Sequence, residues 1–137
     1  MHSGPELDKT IKMKRIVVLT LSLLLIGNPA FGADPTKSLV SKIKKSGIGC
    51  LDAKLQKTKI LYSPARTTCT INGERTNIEV YSKSNFKKAF KYLCESGLDI
   101  PVLTNRKTWA ISPDSETTME SIQKVVGGFI VSSCSLK

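Results

Sequence analysis

The positions of apolar residues along the chain predict three amphipathic helices. In each of them apolar side chains recur at spacings of three and four residues, which places them on one face of a helix. The three stripes are Leu39, Val40 and Ile43; Phe86, Ala89, Phe90, Leu93 and Cys94; and Met119, Ile122, Val125 and Val126. Polar residues occupy the positions between them, so each helix should bury one face and expose the other.

Residues that favour helix ends flank each stripe. Asp34-Pro35 precedes the first stripe, with aspartate as the N-cap and proline in the first turn. Ser84 is predicted to cap the second helix, and Ser112-Pro113-Asp114 to start the third. A glycine follows every stripe, as is common where a helix ends. These glycines are Gly47, Gly97 and Gly127.

The strongest strand signal is a hairpin around Asn72-Gly73. This dipeptide separates Thr67–Ile71 from Arg75–Tyr81, and both runs are rich in residues that favour strands. Asn-Gly between such runs predicts a tight turn, because both turn residues must adopt positive φ. In the second arm, alternation places Ile78 and Val80 on one face.

Four further strands complete the predicted fold. Ile100–Leu103 and Thr108–Ile111 are predicted to form a second hairpin, and Lys59–Tyr62 and Phe129–Val131 are predicted as single strands. The element order is then α-β-β-β-α-β-β-α-β. This order predicts an α+β fold, with about three helices packed on one face of a small, mainly antiparallel sheet. No repeat or low-complexity segment divides the chain, so we expect one domain.

The segment before the first helix has the pattern of a secretory signal peptide. Met13-Lys14-Arg15 is a short basic region, Ile16–Ile26 is mainly apolar, and Ala30-Phe31-Gly32 offers small residues for cleavage. Cleavage is predicted after Gly32, giving residues 1–32 as the signal and 33–137 as the exported domain. The apolar run is shorter than the ~18–20 residues that cross a bilayer, which disfavours the alternative of a retained anchor. Residues 1–12 lack the pattern, and Met13 is an alternative start.

Cysteine usage points to an oxidising compartment. Cys50, Cys69, Cys94 and Cys134 all follow the predicted cleavage site. An even number of cysteines in a short exported chain predicts two disulfides. The alternative, a zinc site, usually has its cysteines in close pairs, whereas the gaps here are 19, 25 and 40 residues. Four cysteines allow three pairings, and spacing alone does not choose among them.

Four short segments follow one another along the chain: Ile48-Gly49-Cys50, Cys69–Glu74, Thr108–Ile111 and Gly127-Gly128. Taken in this order, they resemble a group of small secreted proteins of high-GC Gram-positive (actinobacterial) bacteria, which share the pattern GxGC…CxxxGE…W…GG. The likeness covers nearly all of the predicted mature chain, from about Leu39 to Gly128. Because these proteins have no assigned activity, the resemblance implies a fold and an exported location but no reaction. It also implies the pairing Cys50–Cys69, which leaves Cys94–Cys134 as the second disulfide.

Composition excludes several kinds of chemistry. The chain has 21 basic and 11 acidic residues, a net charge of +10. Residues 1–32 hold four of the basic and two of the acidic residues, so 17 basic and nine acidic residues remain, a net charge of +8. His2 is the only histidine. The exported domain therefore lacks the histidine that Ser-His-Asp and Cys-His catalysis need, and histidine-ligated zinc or haem is excluded too. We expect no metal and no cofactor.

Two other patterns that accompany catalysis occur, and neither is specific. Ser-x-x-Lys occurs at Ser41–Lys44, Ser84–Lys87 and Ser121–Lys124, as chance gives in a chain rich in both residues. A pair of carboxylates supports glycoside cleavage. The candidate acids are Asp52, Glu74, Glu79, Glu95, Asp99, Asp114, Glu116 and Glu120. They are interpreted as ordinary surface acids, with Glu74 at a solvated hairpin tip, so a small acid-pair hydrolase is the least favoured function.

The basic surface is the feature of the sequence that most clearly indicates a function. The candidate anion-binding residues, at the end of the first helix and on the outer side of the second, are Lys42, Lys44, Lys45, Lys87, Lys88 and Lys91. Such charge attracts anionic cell-wall polymers, lipid headgroups or an acidic protein. Specific nucleic-acid binding is not expected, because no recognition motif is visible. The alternative is a solvated lysine face that serves solubility.

The sequence therefore predicts an exported, non-enzymatic binding domain, extracellular or held at the cell envelope. The alternative is an inhibitor or immunity-type protein that blocks an extracellular enzyme through Asn72–Arg75 or Thr104–Lys107. Trp109 is a candidate stacking platform for a ligand, although a lone tryptophan in a short strand more often packs in the core.

Overall fold

The computed structural model describes residues 34–56, 62 and 64–137. The predicted signal peptide, residues 1–32, lies outside the described residues. Asp34–Lys137 form one compact unit. Within the described part, no helix has the length and apolar character that crossing a membrane requires.

Three helices and six strands lie in the described part, in the predicted order. The helices are α1 (Lys37–Lys45), α2 (Lys83–Glu95) and α3 (Glu116–Val126), followed by a 3₁₀ helix at Ser133–Leu136. The strands are β1 (Leu51–Gln56), β2 (Ala65–Ile71), β3 (Glu74–Val80), β4 (Pro101–Thr104), β5 (Trp109–Ser112) and β6 (Phe129–Ser132). The predicted α+β class is confirmed.

All six strands form one antiparallel sheet in the order β1-β2-β3-β5-β4-β6. Both predicted hairpins are present, as β2–β3 and β4–β5. In the first, Asn72 and Gly73 have φ values of 53° and 76°, the positive values that the Asn-Gly motif predicts. Pairing of β3 with β5, in which Ile78 lies opposite Ile111, joins the two hairpins.

The helices cover both faces of the sheet, so the prediction of one covered face is wrong. Neighbouring residues of a strand point to opposite faces. In β5, Ala110 packs in one apolar cluster and Ile111 in another. The cluster of Ile111 also contains Ile43 of α1 and Ile122 of α3, and the cluster of Ala110 contains Phe90 of α2. We call the two sides the α1/α3 face and the α2 face.

The reason for this error lies in the strands. A helical stripe shows that a helix buries one side, but it does not show which face of the sheet it meets. Val102-Leu103 in β4 and Ala110-Ile111 in β5 are adjacent buried apolar residues. Consecutive apolar residues in a strand indicate a sheet that is covered on both faces.

The first strand lies earlier in the chain than predicted. Of the predicted strand Lys59–Tyr62, Tyr62 lies in a turn, and residues 59–61 lie outside the described residues. In β1 the register with β2 shifts between Leu51 and Lys54, and Asp52 has a φ of 54°. A bulge of this kind interrupts the two-residue alternation, which is why the pattern does not reveal this strand.

All three helices begin at residues other than those predicted. Ser82, not Ser84, caps α2, and its side-chain oxygen accepts a backbone N–H at 3.2 Å. Ser115, not Ser112-Pro113-Asp114, caps α3 in the same way, also at 3.2 Å. Two serines precede the stripe of α2 and two precede that of α3, and the end of the preceding strand decides which of them has the extended backbone of a cap.

Asp34 accepts its hydrogen bonds in the turn that precedes α1, and it is not the N-cap of the helix. Its carboxylate accepts hydrogen bonds from the N–H and the hydroxyl of Thr36, at 2.8 and 2.6 Å, and the helix starts at Lys37. The hydroxyl of Thr36 also contacts the buried hydroxyl of Thr67 in β2. This contact ties the start of α1 to the sheet.

The two disulfides have the pairing that the resemblance implies, Cys50–Cys69 and Cys94–Cys134. The first joins the segment after α1 to β2, in the core of the α1/α3 face. The second joins the last turn of α2 to the 3₁₀ helix. Sequence separations of 19 and 40 residues correspond to about 3 and 4 kcal/mol of stabilisation through the unfolded chain. Two disulfides are compatible with an extracellular location.

Candidate functional site

The six candidate lysines do not form one surface. All of them are exposed. They are Lys42, Lys44 and Lys45 on α1, and Lys87, Lys88 and Lys91 on α2. Because α1 and α2 pack on opposite faces of the sheet, the two groups are separate surfaces.

The lysines of α1 have a structural explanation. Lys42, Lys44 and Lys45 occupy the last turn of this helix. The carbonyl end of a helix has a partial negative charge, and a cation there stabilises it by about 0.3–1 kcal/mol. Helix stability alone therefore accounts for lysine at these positions.

The lysines of α2 lack this explanation. Four of them lie within about 140° around the helix axis, and we call them the α2 lysine row: Lys83, Lys87, Lys88 and Lys91. The first turn of α2 has no acidic residue and the last turn no basic one, so its charges do not complement the helix dipole. Members four residues apart also repel each other by a few tenths of a kcal/mol. The one ion pair in the described part of the chain lies elsewhere, between Arg66 and Glu79.

Beside α2, the same face of the sheet is open and forms a cleft of about 240 Å³, the α2 cleft. The residues that contribute polar or aromatic groups to it include Tyr62, Arg66, Asn77, Glu79, Tyr92 and Ser112. The charged residues that line an adjoining hollow of about 250 Å³ are Lys88, Lys91 and Glu95. Since Tyr62 and Tyr92 line both spaces, the α2 lysine row reaches the mouth of the cleft.

An ion pair forms the base of the α2 cleft. Arg66 in β2 lies opposite Glu79 in β3, and its Nε and Nη2 both donate to Oε2 of Glu79, with an Nε–Oε2 distance of 2.8 Å. The hydroxyl of Tyr81 donates to the other carboxylate oxygen at 3.3 Å. Burial, and then the charge of Glu79, raises the pKa of Tyr81 above its ordinary value of 10.0, so this hydroxyl stays protonated.

Several polar groups of the α2 cleft remain available to a ligand. Oδ1 of Asn77 accepts the hydroxyl of Thr68 at 3.2 Å, and the amide N–H groups of Asn77 have no partner among the described residues. The same holds for the hydroxyl of Ser112, which lies opposite Asn77 in β5. Arg66 uses two of its five N–H groups in the ion pair. The cleft therefore offers hydrogen-bond donors beside the Arg66–Glu79 ion pair, which has no net charge.

A further hollow of about 330 Å³ lies over β1 and β2. Its lining includes Asp52, Lys54 and Arg75, so charges of both signs face it, and no aromatic side chain does. It lacks the combination of aromatic walls, neutral donors and neighbouring cations that the α2 cleft has.

Glu74 lies at the hairpin tip as predicted, but it has a structural role, so its interpretation as an ordinary surface acid is wrong. Its carboxylate accepts the N–H and the hydroxyl of Ser115 and the hydroxyl of Thr118, each at 2.7 Å. These bonds attach the start of α3 to the β2–β3 hairpin. Led by the Ser115 hydroxyl, they lower the pKa of Glu74 below its ordinary value of 4.5, which disfavours a role as a general acid.

Trp109 lies on the α1/α3 face, away from the α2 cleft, and packs against the core there. A Cβ atom added to Gly128 would lie 2.8 Å from Cη2 of the Trp109 ring and 2.8 Å from the carbonyl oxygen of Thr104. This close packing supports a core role for Trp109, and its role as a stacking platform stays a prediction.

In the described part of the chain, no three histidine, cysteine or acidic side chains lie close enough together to hold a metal ion. All four cysteines are disulfide-bonded.

The α2 cleft is the part of the site that the sequence does not reveal. Alternation in β3 does place Asn77, Glu79 and Tyr81 on one face. With all helices assigned to the other face, these residues are expected to be solvated. Tyr62 and Tyr92 come from segments far apart in the chain, and only the packing of α2 brings them to one cleft.

Comparisons with protein-family models, with curated proteins and with solved structures found no significant match. The resemblance to actinobacterial secreted proteins stays a prediction, and a proposed function depends on the geometry of the α2 face.

Proposed function

We propose that the protein is an exported, non-enzymatic binding domain that attaches to an anionic polymer of the cell envelope through its α2 face. The α2 lysine row is the observation that carries the proposal. It places four exposed cations on one side of the helix, where members four residues apart repel each other and Lys83, in the first turn, also opposes the helix dipole. An anionic partner would neutralise both unfavourable effects.

The spacing of the row favours a polymer over a single small anion. From Lys83 to Lys91 the helix rises about 12 Å, so the row can contact several successive charges. Lysine acts as a flexible point charge, whereas arginine is preferred where one phosphate or carboxylate is held in fixed geometry. The predicted signal peptide and the two disulfides support an address outside the cytoplasm.

The test uses two matched triple variants of the purified, disulfide-bonded protein. K87Q/K88Q/K91Q neutralises three cations of the α2 lysine row, and K42Q/K44Q/K45Q neutralises three on α1 with the same change in net charge. Binding to isolated cell walls is measured by co-sedimentation. With about 1 kcal/mol per lysine at an anionic surface, the α2 triple should weaken binding by one to two orders of magnitude. The α1 triple should change it much less.

Salt dependence and a second ligand sharpen the result. Bound protein should be released near 0.5 M salt, where the Debye length is about 4 Å. Binding that does not change with salt concentration would contradict the proposal. Equal losses of binding in both triple variants would contradict it too. Attachment to phosphatidylglycerol vesicles but not to cell walls would assign lipid headgroups as the ligand instead.

A second candidate function, inhibition of an extracellular enzyme, is supported by the β4–β5 loop. Oδ1 of Asn105 accepts three backbone N–H groups of the following residues, at 2.8–3.0 Å, which fixes the loop. Arg106 at its tip has a φ of 64°, and its guanidinium lies 4.5 Å from the exposed ring of Phe129. A rigid loop that exposes arginine beside an aromatic ring is typical of protein contacts. The Asn72–Arg75 loop is less suited to contact an enzyme, because the carboxylate of Glu74 is hydrogen-bonded to the start of α3.

This candidate requires one stoichiometric enzyme partner in the extracellular fraction, whose activity falls on binding. Arg106→Ala should release that partner, and K87Q/K88Q/K91Q should retain it. A partner that Arg106→Ala still holds would contradict inhibition through this loop.

A further inference from the structure

The α2 cleft combines apolar walls with a polar base. Its walls include Leu93, Ile100 and the ring of Tyr92, which is 48% exposed. Its base presents the amide of Asn77 and the hydroxyl of Ser112. A ligand that fits both must have an apolar face and a rim of hydroxyl groups. A sugar ring has this character, since its C–H face stacks on tyrosine and its hydroxyl groups exchange hydrogen bonds with amides and hydroxyls.

The size of the cleft limits the ligand to one ring. Its volume of about 240 Å³ lies below the ~300–1,000 Å³ of pockets that hold drug-sized molecules. The remainder of a longer ligand must lie outside. The hollow lined by Lys88 and Lys91 adjoins the cleft at Tyr62 and Tyr92, so it gives such a ligand a path along α2.

The charges at the mouth indicate the sign of the ligand. The amine of Lys88 lies 5.9 Å from the centre of the Tyr62 ring, and Lys91 and Glu95 line the same hollow, so two cations and one carboxylate leave an excess of one positive charge there. These cations disfavour a quaternary ammonium ligand, which aromatic side chains otherwise bind well. A bare phosphate would find lysines at the mouth, but it would make no use of the tyrosine wall or the neutral donors.

We infer that the α2 cleft binds one sugar residue of an anionic polysaccharide, with Tyr92 as its stacking platform and Lys88 and Lys91 facing its acidic groups. The inference rests on the proposed function and names the ligand class of the same face. It separates two contributions to binding: charge along the α2 lysine row, and ring recognition in the cleft.

The test measures both contributions by calorimetry at one fixed salt concentration. The carboxylated probes are oligosaccharides of galacturonate, alginate and hyaluronan. Inorganic polyphosphate is the anion without a sugar, and phosphatidylglycerol vesicles are the lipid probe. Tyr92→Ala removes the stacking platform without changing charge. Phe129→Ala is the matched control, since it removes an aromatic ring that is 51% exposed on β6, outside the cleft.

At least one carboxylated oligosaccharide should bind more tightly than polyphosphate. Tyr92→Ala should weaken that binding by about tenfold, as stacking contributions of this size indicate, and leave polyphosphate binding unchanged. Tyr92→Phe should retain the affinity, and Phe129→Ala should change neither ligand. Circular dichroism of each variant checks that it folds.

Two results overturn the inference and leave the proposed function in place. One is that no oligosaccharide binds better than polyphosphate, and the other is that Tyr92→Ala weakens both equally. Vesicle binding that survives Tyr92→Ala, with no oligosaccharide binding, would also overturn it. If no anion of any kind binds at low salt, the proposed function itself fails.

Discussion

The two faces of the sheet share six strands but differ in how they are covered. On the α1/α3 face, two helices, the Cys50–Cys69 disulfide and the ring of Trp109 close over a continuous apolar core. On the α2 face, one helix covers an apolar cluster, and the α2 cleft lies open beside it. The difference shows that room for a ligand exists where coverage is incomplete.

The lysines of the two faces support the same distinction. Those of α1 lie at the helix end where cations are favourable, and those of α2 run along the helix outside its last turn, with Lys83 in the unfavourable first turn. Equal numbers of lysine therefore do not indicate equal function, because position along the helix decides whether the charge stabilises the fold.

The largest expected effect tests how tightly the α1/α3 face is closed. Gly128→Ala introduces a Cβ at 2.8 Å from both the Trp109 ring and the Thr104 carbonyl, at a φ of 94°. The clash and the backbone strain should lower the free energy of unfolding by about 2–4 kcal/mol. Gly127→Ala, with a φ of 78°, a ψ of −160° and nothing within 4 Å of the added Cβ, is the control and should lose about 1–3 kcal/mol through backbone strain alone. Equal losses in urea unfolding would show that the face is looser than its contacts indicate.

A smaller effect is expected on the α2 face. Arg66→Met leaves Glu79 without its cation, and because the pair is partly exposed (25% and 12%), the loss should be about 1–3 kcal/mol. Arg75→Met, an exposed position on the same face, should stay within about 0.5 kcal/mol of wild type. The double variant R66M/E79L should recover part of the loss, since no charge is left unpaired. Additive losses would contradict the coupling.

The smallest effect concerns the bonds between Glu74 and α3, and it depends on pH. The pKa of Glu74 is lowered in the folded state, so its contribution is complete above the unfolded value of 4.5 and is lost as the pH falls through the folded pKa. Glu74→Gln should therefore remove part of the acid dependence of the thermal midpoint below pH 4.5. Glu116→Gln removes an acid from the same helix start and should keep that dependence. Identical acid profiles for wild type and Glu74→Gln would contradict the role assigned to these bonds.

Local patterns predict much of this fold, because they encode local structure. The apolar stripe from Phe86 to Cys94 and the Asn72-Gly73 turn determine their elements through neighbouring residues alone. The sequence does not predict β1, because the bulge at Asp52 disrupts the alternation of apolar and polar residues along the strand.

The candidate site is harder to predict, because it depends on which face of the sheet α2 meets. The lysines of α2 are visible in the sequence as charge on the outer side of a helix. Tyr62, Asn77, Tyr92 and Ser112 come from four separate segments. Their proximity is decided by the whole packing arrangement, which no short window of sequence contains.

The order of the disulfides along the chain determines how the molecule responds to a protease. The two covalent rings, residues 50–69 and 94–134, follow one another without overlapping. A cut after the exposed Arg106 falls inside the second ring, so both fragments stay linked until the disulfide is reduced. A cut at Asn72-Gly73 falls between the rings and leaves only non-covalent contacts to hold the halves together. Nicking in the Thr104–Lys107 loop therefore leaves the chain covalently joined, whereas nicking in the Asn72–Arg75 loop does not.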